Sequence, residues 1–266
     1  MPDPAFLAAY AVLGLAVGFV AGLLGVGGGL IIVPVLITLL QVQGLAAGME
    51  PQVALGTSLA SILFTSLSSV RAHHRHGAVE WPLLRRITPG IVAGTLAGAL
   101  LAAQLPGQVL KLFFVAFLFY AATQMWLDFK PRPHRSLPGK AGTTLAGGVI
   151  GAVSSWVGIG GGTLSVPFML WHNIPLHRAI GTSAAIGFPI ALAGALGYAV
   201  GGWRSEGLPD ASLGYLYLPA LAGIVLGSVL TAPLGARTAH RLPVRPLKRI
   251  FAVLLYVLAV RMLTML

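Results

Sequence analysis

Residues 5–24 read AFLAAYAVLGLAVGFVAGLL, with no charge and no proline, and apolar runs of comparable length recur almost to the end of the chain. A helix needs about 20 apolar residues to cross the ~30 Å hydrocarbon core of a bilayer. Only 9% of the residues are charged and 56% are hydrophobic, with mean hydropathy +0.87. A soluble domain carries about 25% charged residues, so this chain cannot cover a water-facing surface. A β-barrel would show ~10-residue segments of alternating polarity, which are absent here. The expectation is an all-α integral membrane protein. The start, MPDPAFLAAY, lacks Lys and Arg and so does not read as a signal peptide. The chain has no cysteine, which removes disulfides, thiolate metal sites and cysteine nucleophiles.

Hydropathy and turn residues predict about ten segments: 5–24, 29–43, 52–70, 84–104 and 108–127, then 141–157, 162–172, 179–201, 212–234 and 247–265. The second and seventh are too short to span a bilayer at ~1.5 Å per residue. The net charge of +11 tests orientation. Arg71, Arg75, Arg85, Arg86, Lys130, Arg132, Arg135, Lys140, Arg178, Arg237, Arg241, Arg245, Lys248 and Arg249 all fall on one side if the N-terminus is outside; Lys111, Arg204 and Arg261 do not. Positive charge concentrates in cytoplasmic loops. The pattern predicts a multi-pass protein of the bacterial inner membrane with both termini outside. It also accounts for the basic balance without nucleic acid as a partner.

The chain contains itself twice. GVGGGLIIVP at 25–34 matches GIGGGTLSVP at 158–167, and ALGTSLA at 54–60 matches AIGTSAA at 179–185. PGIVAGTLAGALLA at 89–102 resembles PALAGIVLGSVLTA at 219–232, and LPGQVLKLFFVAFLFYAATQM at 105–125 resembles LPVRPLKRIFAVLLYVLAVRM at 242–262. Residues 1–127 and 141–266 are therefore read as two transmembrane repeats joined by a cytoplasmic linker at 128–140. Each repeat has five segments, and an odd number turns the second over relative to the first. Inverted repeats are a mark of secondary transporters, whose substrate site lies between the halves where helices are broken.

Broken backbone inside a membrane is tolerated only where it is buried in protein or lines a cavity. Gly27, Gly28 and Gly29, and in the second copy Gly160, Gly161 and Gly162, break apolar runs and leave the first two segments of each repeat short or re-entrant. The following short helix turns its positive N-terminal end toward the break, where an anion is favoured. Glycines such as Gly94 and Gly98, or Gly223 and Gly227, are better read as close helix packing. The duplicated Gly-Thr-Ser elements add Thr57, Ser58, Thr182 and Ser183, whose hydroxyls can cap a helix or donate to a ligand oxygen. Gln52, His177 and Arg178 stand just before these elements, and Trp156 and Trp171 flank the second glycine run. These five are candidates for gating or for proton or sodium coupling, with interfacial anchoring as the plainer role.

GVGGGxxxVP and GIGGGxxxVP, each followed by Gly-Thr-Ser, resemble the TauE/SafE (sulfite exporter, TSUP) family over nearly the whole chain. The resemblance implies a carrier of sulfur-containing anions such as sulfite and organosulfonates, without cofactor or metal. The acids agree with an anion: Asp3, Glu50, Glu80, Asp128, Glu206 and Asp210 all lie near segment ends or in loops. A cation or metal permease, the main alternative, would place carboxylates deep in the membrane. An intramembrane hydrolase would need Ser58 or Ser183 beside a base. GxGxxG would need glycine where Leu30 and Thr163 stand, which excludes a dinucleotide loop. The small-residue stripes are equally compatible with a homodimer and with packing inside one chain.

Overall fold

The computed structural model describes residues 3–24, 28–45, 48–128, 136–239 and 244–265. Among them are ten helices: α1 Pro4–Leu24, α2 Gly29–Val42, α3 Glu50–Arg75, α4 Trp81–Ala102, α5 Gly107–Trp126, α6 Lys140–Val157, α7 Gly162–Trp171, α8 Leu176–Gly201, α9 Leu218–Ala239 and α10 Val244–Leu263. Five are long and apolar enough to cross a membrane: Pro4–Leu23, Glu50–Arg75, Gly107–Trp126, Leu176–Gly201 and Leu218–Gly235. With 22 and 20 residues, α4 and α10 are long enough but carry basic residues near their first turns. The 14 residues of α2 and 10 of α7 reach only about 21 and 15 Å at the usual rise. The architecture is that of a multi-pass membrane protein.

Helix starts are set by proline more than by hydropathy. Pro51 and Pro82 occupy first-turn positions of α3 and α4, and Pro175 immediately precedes α8. A proline there loses no intrahelical hydrogen bond. These helices accordingly begin two or three residues before the predicted segments. Segment nine is the opposite case. Its first residues form a two-residue hairpin, β1 Ser212–Leu213 with β2 Leu216–Tyr217. Gly214, at φ +56°, makes the turn.

The main packings join one half of the chain to the other. α1 lies parallel to α9, with Gly14 against Ile224 and Gly18 against Ser228. α4 lies parallel to α6, with Gly147 against Ile87 and Gly151 against Ile91. α3 runs antiparallel to α8: Gly56 meets Tyr198, Leu59 meets Gly194 and Ser66 meets Gly187. α5 runs antiparallel to α10, where Phe119 touches Tyr256 and the Arg249 guanidinium lies 5.8 Å from the Trp126 ring centre. Exchanging the first five helices with the second five maps this set of pairs onto itself. Glycine lets the backbones come this close.

The sequence match pairs Pro89 with Pro219, whereas the contacts correspond at a spacing seven residues longer. Gly90 faces Thr144 and Gly148, just as Gly227 faces Ala11 and Leu15; Gly98 faces Ala152, just as Gly235 faces Phe19. Seven residues are nearly two helical turns. The slip therefore keeps the small residues on one face and cannot be seen from periodicity.

The centre of the molecule is α3 against α8. Residues 50–62 of α3 are all buried. Glu50 is one of them, and its carboxylate accepts from the Gly48 amide at 2.8 Å beside the first turn of its own helix. That position favours negative charge.

Candidate functional site

Gly158 ends α6 in the left-handed region at φ +67°, and Gly161 at φ +78° begins α7. Few other residues adopt that backbone without strain. Four residues thus separate two helices that a continuous span would fuse. In the first half, Gly28 is the N-cap of α2 and its carbonyl accepts from Ile31 and Ile32, both at 3.0 Å. The Gly161 carbonyl accepts the matching bonds from Leu164 at 3.1 Å and Ser165 at 2.8 Å. Pro34 and Pro167 lie inside these helices, in their second turns. Gly27 lies outside the described residues.

The two breaks touch. A Cβ built on Gly29 would stand 2.1 Å from the Gly158 carbonyl oxygen, so nothing separates the backbones. Ser58 donates to that same oxygen at 2.8 Å from the opposite half, and Ser165 donates to Ser183 at 3.0 Å. Gly160 approaches Gly187 and Ile62, at the crossing of α3 and α8. Gly29 and Gly158 to Gly161 are buried, and Gly162 is half-buried.

The Gly-Thr pairs have a shared structural task. They lie two turns inside α3 and α8, so they do not cap these helices. Gly56 leaves room for the Tyr215 carbonyl, and Thr57 Oγ1 accepts from the Tyr217 amide at 3.0 Å. Gly181 leaves room for the Ala78 carbonyl, and Thr182 Oγ1 accepts from the Glu80 amide at 2.9 Å. Tyr217 immediately precedes α9, and Glu80 immediately precedes α4. Each half thereby braces the segment that launches a long helix in the other half. Thr57→Val and Thr182→Val are each expected to cost about 1–3 kcal/mol by orphaning a backbone donor, whereas Ser at either position keeps the acceptor. Thermal unfolding of the detergent-solubilised variants measures this; unchanged midpoints for the valines would refute the brace.

The other candidates are spread around this centre. Gln52 donates to the Leu105 carbonyl at 2.8 Å and ties α3 to the start of α5. Trp156 donates to Gly98 O at 2.9 Å and meets Phe113 edge-on, which pins α6 to α4. Trp171 sits at the far end of α7 from the break, beside His172. His177 is exposed in the first turn of α8, and Arg178 pairs with Glu80 at 2.5 Å. With side-chain exposures of 49% and 28%, that pair is worth at most about 1 kcal/mol.

Sequence reasoning did not select two hydroxyls at the second break. Ser154 is fully buried and Thr163 is 6% exposed, and neither Oγ atom has a hydrogen-bond partner. The signal was available in the repeat itself, because the same positions in the first half hold Ala21 and Leu30.

Among the described residues, two cavities lie elsewhere. One of about 320 Å³ is lined by Asp3, Gln43, Asp210 and Tyr217, at the opposite end of α2 from its break. Burial, and then the Asp210 carboxylate, push the Tyr217 hydroxyl above its ordinary pKa. Its acidic lining sets it apart from an anion seat. The other, about 360 Å³, runs along α3 past Phe64, Ser68, Arg71 and Arg75.

A family model described as "Sulfite exporter TauE/SafE" matches residues 10–262. A "Probable membrane transporter protein" of Haemophilus influenzae is 38% identical over 250 residues, covering 94% of this chain and 95% of the relative. The "Probable membrane transporter protein YunE" of Bacillus subtilis is 29% identical over 273 residues, with 95% of each chain covered. A similarly named protein of Methanocaldococcus jannaschii is 25% identical over 260 residues, covering 95% of this chain and 93% of the relative. No solved structure matches the chain significantly.

Proposed function

The chain belongs to the sulfite exporter TauE/SafE family of membrane transporters, and from that premise we propose that it carries a small sulfur-containing anion, such as sulfite or an organosulfonate, by alternating access. The carrier consists of two inverted five-helix repeats, and the anion binds where their broken helices meet. The contact of Gly29 with Gly158 is the observation that carries this reading. It sets two helix breaks from different halves side by side at the crossing of the two central helices. Short-helix N-termini and hydroxyls provide partial positive charge there without a fixed cation.

The inversion is supported by helix direction. The counterparts α3 and α8 run antiparallel, as do α5 and α10, while α1 follows α9 and α4 follows α6. Two repeats in the same orientation would give the reverse. In this scheme the buried breaks correspond to an occluded state, which opens to one side at a time as one half rocks against the other. The placement of the acids favours an anion over a cation or metal. Asp128 pairs with Lys248 at 2.7 Å, Glu80 pairs with Arg178, and Asp3 and Asp210 line the cavity at the end of α2. The positive-inside pattern supports an orientation with both termini outside the inner membrane, and proton or sodium coupling and a homodimer are compatible with this scheme.

Uptake of radiolabelled sulfite, sulfoacetate and taurine into proteoliposomes tests the reading. Gradient-driven movement of at least one of them is expected; no movement under any gradient would refute it. Single cysteines at positions 76 and 205 should label from opposite faces, and labelling from one face would refute the inversion.

A further inference from the structure

The two broken helices have the same backbone plan but different chemistry. Fixing the repeat on Gly28 and Gly161 places Ser154, Ser155, Thr163 and Ser165 opposite Ala21, Gly22, Leu30 and Ile32. Every hydroxyl of that set belongs to the second half. Two are accounted for, because Ser155 donates to Ala152 O at 2.7 Å and Ser165 donates to Ser183 at 3.0 Å.

Ser154 and Thr163 behave otherwise. Serines and threonines in the helices of this protein usually donate back to their own helix, as Ser61 does to Ser58, Ser228 to Val225, Thr38 to Pro34 and Thr88 to Leu84. Ser154 Oγ makes no such bond, although Ile150 and Gly151 lie in its own helix. It stands instead 3.5 Å from where a Cβ on Gly161 would be, so it is aimed at the cap of α7. Thr163 lies in the first turn of α7, where no helical carbonyl is within reach, and its Oγ1 is equally unpartnered. Among the described residues, the amides of Gly161, Gly162 and Thr163 also find no acceptor. Buried polar groups are nearly always satisfied, and a cluster of orphans marks a missing partner. The amides can only donate and the hydroxyls can also donate, so one acceptor at this place would satisfy them all.

We propose that the transported oxyanion has a single seat at the N-terminus of α7, where Ser154 Oγ and Thr163 Oγ1 donate to its oxygens beside the free amides. This rests on the anion-carrier reading and deepens it. The end of α2 supplies the opposing wall, and the apolar Leu30 of α2 and Ala21 of α1 take no part in binding. The two halves are then related in backbone but not in chemistry, and one anion is carried per cycle. No lysine or arginine is required at the seat, which suits a ligand that must leave again.

Proteoliposome uptake with Ser154→Ala, Thr163→Val, Thr163→Ser and Leu30→Val tests the seat. Ser154→Ala and Thr163→Val should each raise KM about tenfold or more, the usual effect of removing a hydrogen bond to a charged ligand. Thr163→Ser and Leu30→Val should stay near the wild-type KM. Thermal unfolding without substrate supplies the second readout. Removing a hydroxyl with no protein partner should not lower the midpoint, whereas losing one with a structural role would. A wild-type KM for Ser154→Ala and Thr163→Val means that only water fills the seat and overturns the proposal. An equal rise in Leu30→Val overturns the single seat while the carrier reading stands. Wild-type protein that moves no anion removes the carrier reading, and the seat with it.

Discussion

Replacing Gly29 with alanine is expected to abolish anion uptake while the protein remains folded in the membrane. The added Cβ would stand 2.1 Å from the Gly158 carbonyl oxygen and 3.0 Å from its carbon. Both are backbone atoms, so no side chain can swing aside. Gly158 cannot yield easily either, because its left-handed conformation at φ +67° ends α6 and its oxygen holds the Ser58 hydroxyl at 2.8 Å. One of the two breaks must move, and the Ser58 bond goes with it. Forcing an extra carbon into a packed interior costs about 1–3 kcal/mol, too little to unfold a large helical bundle. Gly160→Ala is the contrasting case. Its Cβ would meet the Ile62 Cγ2 methyl at 3.3 Å and Gly187 Cα at 3.6 Å, a fit that needs a shift of only a few tenths of an ångström, and its backbone is not left-handed. Gly160→Ala should therefore keep most of its transport. Uptake by both variants, with elution volume in detergent as the check on folding, decides the matter. Wild-type rates in Gly29→Ala would mean that the contact between the breaks is incidental.

That contrast shows what the sequence could not resolve. The tandem glycines announced a break, and their duplication announced a repeat. Nothing in three identical letters distinguishes Gly160, whose φ is not positive, from Gly161, whose φ of +78° excludes most side chains. Backbone conformation arises from the whole surrounding loop and has no local code beyond the residue type that tolerates it. The helices themselves were legible because the bilayer imposes length and apolarity together, and ten predicted segments correspond to the ten helices. Partner choice was less legible. Gly-Thr-Ser reads in the sequence as a ligand or capping element, and the structure adds that its threonines accept from the segments before α4 and α9. Those bonds span 102 and 160 residues, a separation that no periodicity records. The seven-residue difference in register along α4 and α9 has the same origin, since two helical turns leave the pattern unchanged while moving every contact.

The largest loss of stability is expected from Gly90→Ala at the seam between α4 and α6. A Cβ there would stand 1.8 Å from the Thr144 carbonyl oxygen and 3.0 Å from the Gly148 amide nitrogen. Hydrocarbon tails are as apolar as the side chains they surround, so helices in a membrane associate through close packing and interhelical hydrogen bonds. The seam has both. Thr144 Oγ1 donates to Arg86 O at 3.1 Å and Trp156 donates to Gly98 O at 2.9 Å, bracketing Gly90 and Gly94. Separating the helices far enough to admit a methyl group would stretch these bonds together, so the cost should reach or exceed the about 3 kcal/mol at the upper end of ordinary overpacking. Gly227→Ala, the counterpart between α9 and α1, meets Ala11 O at 2.5 Å and should lose less. Gly148→Ala is the internal control. It sits on the same seam, but its nearest neighbour is Gly90 O at 3.7 Å, an ordinary contact. Alanine there gains up to about 1 kcal/mol of helix propensity over glycine and should leave the protein unchanged or slightly more stable. Unfolding midpoints in detergent should fall in the order Gly148→Ala, Gly227→Ala, Gly90→Ala. A Gly90→Ala protein as stable as Gly148→Ala would mean that α4 and α6 do not approach at this register, and the counterpart relation of Gly90 and Gly227 would fail with it.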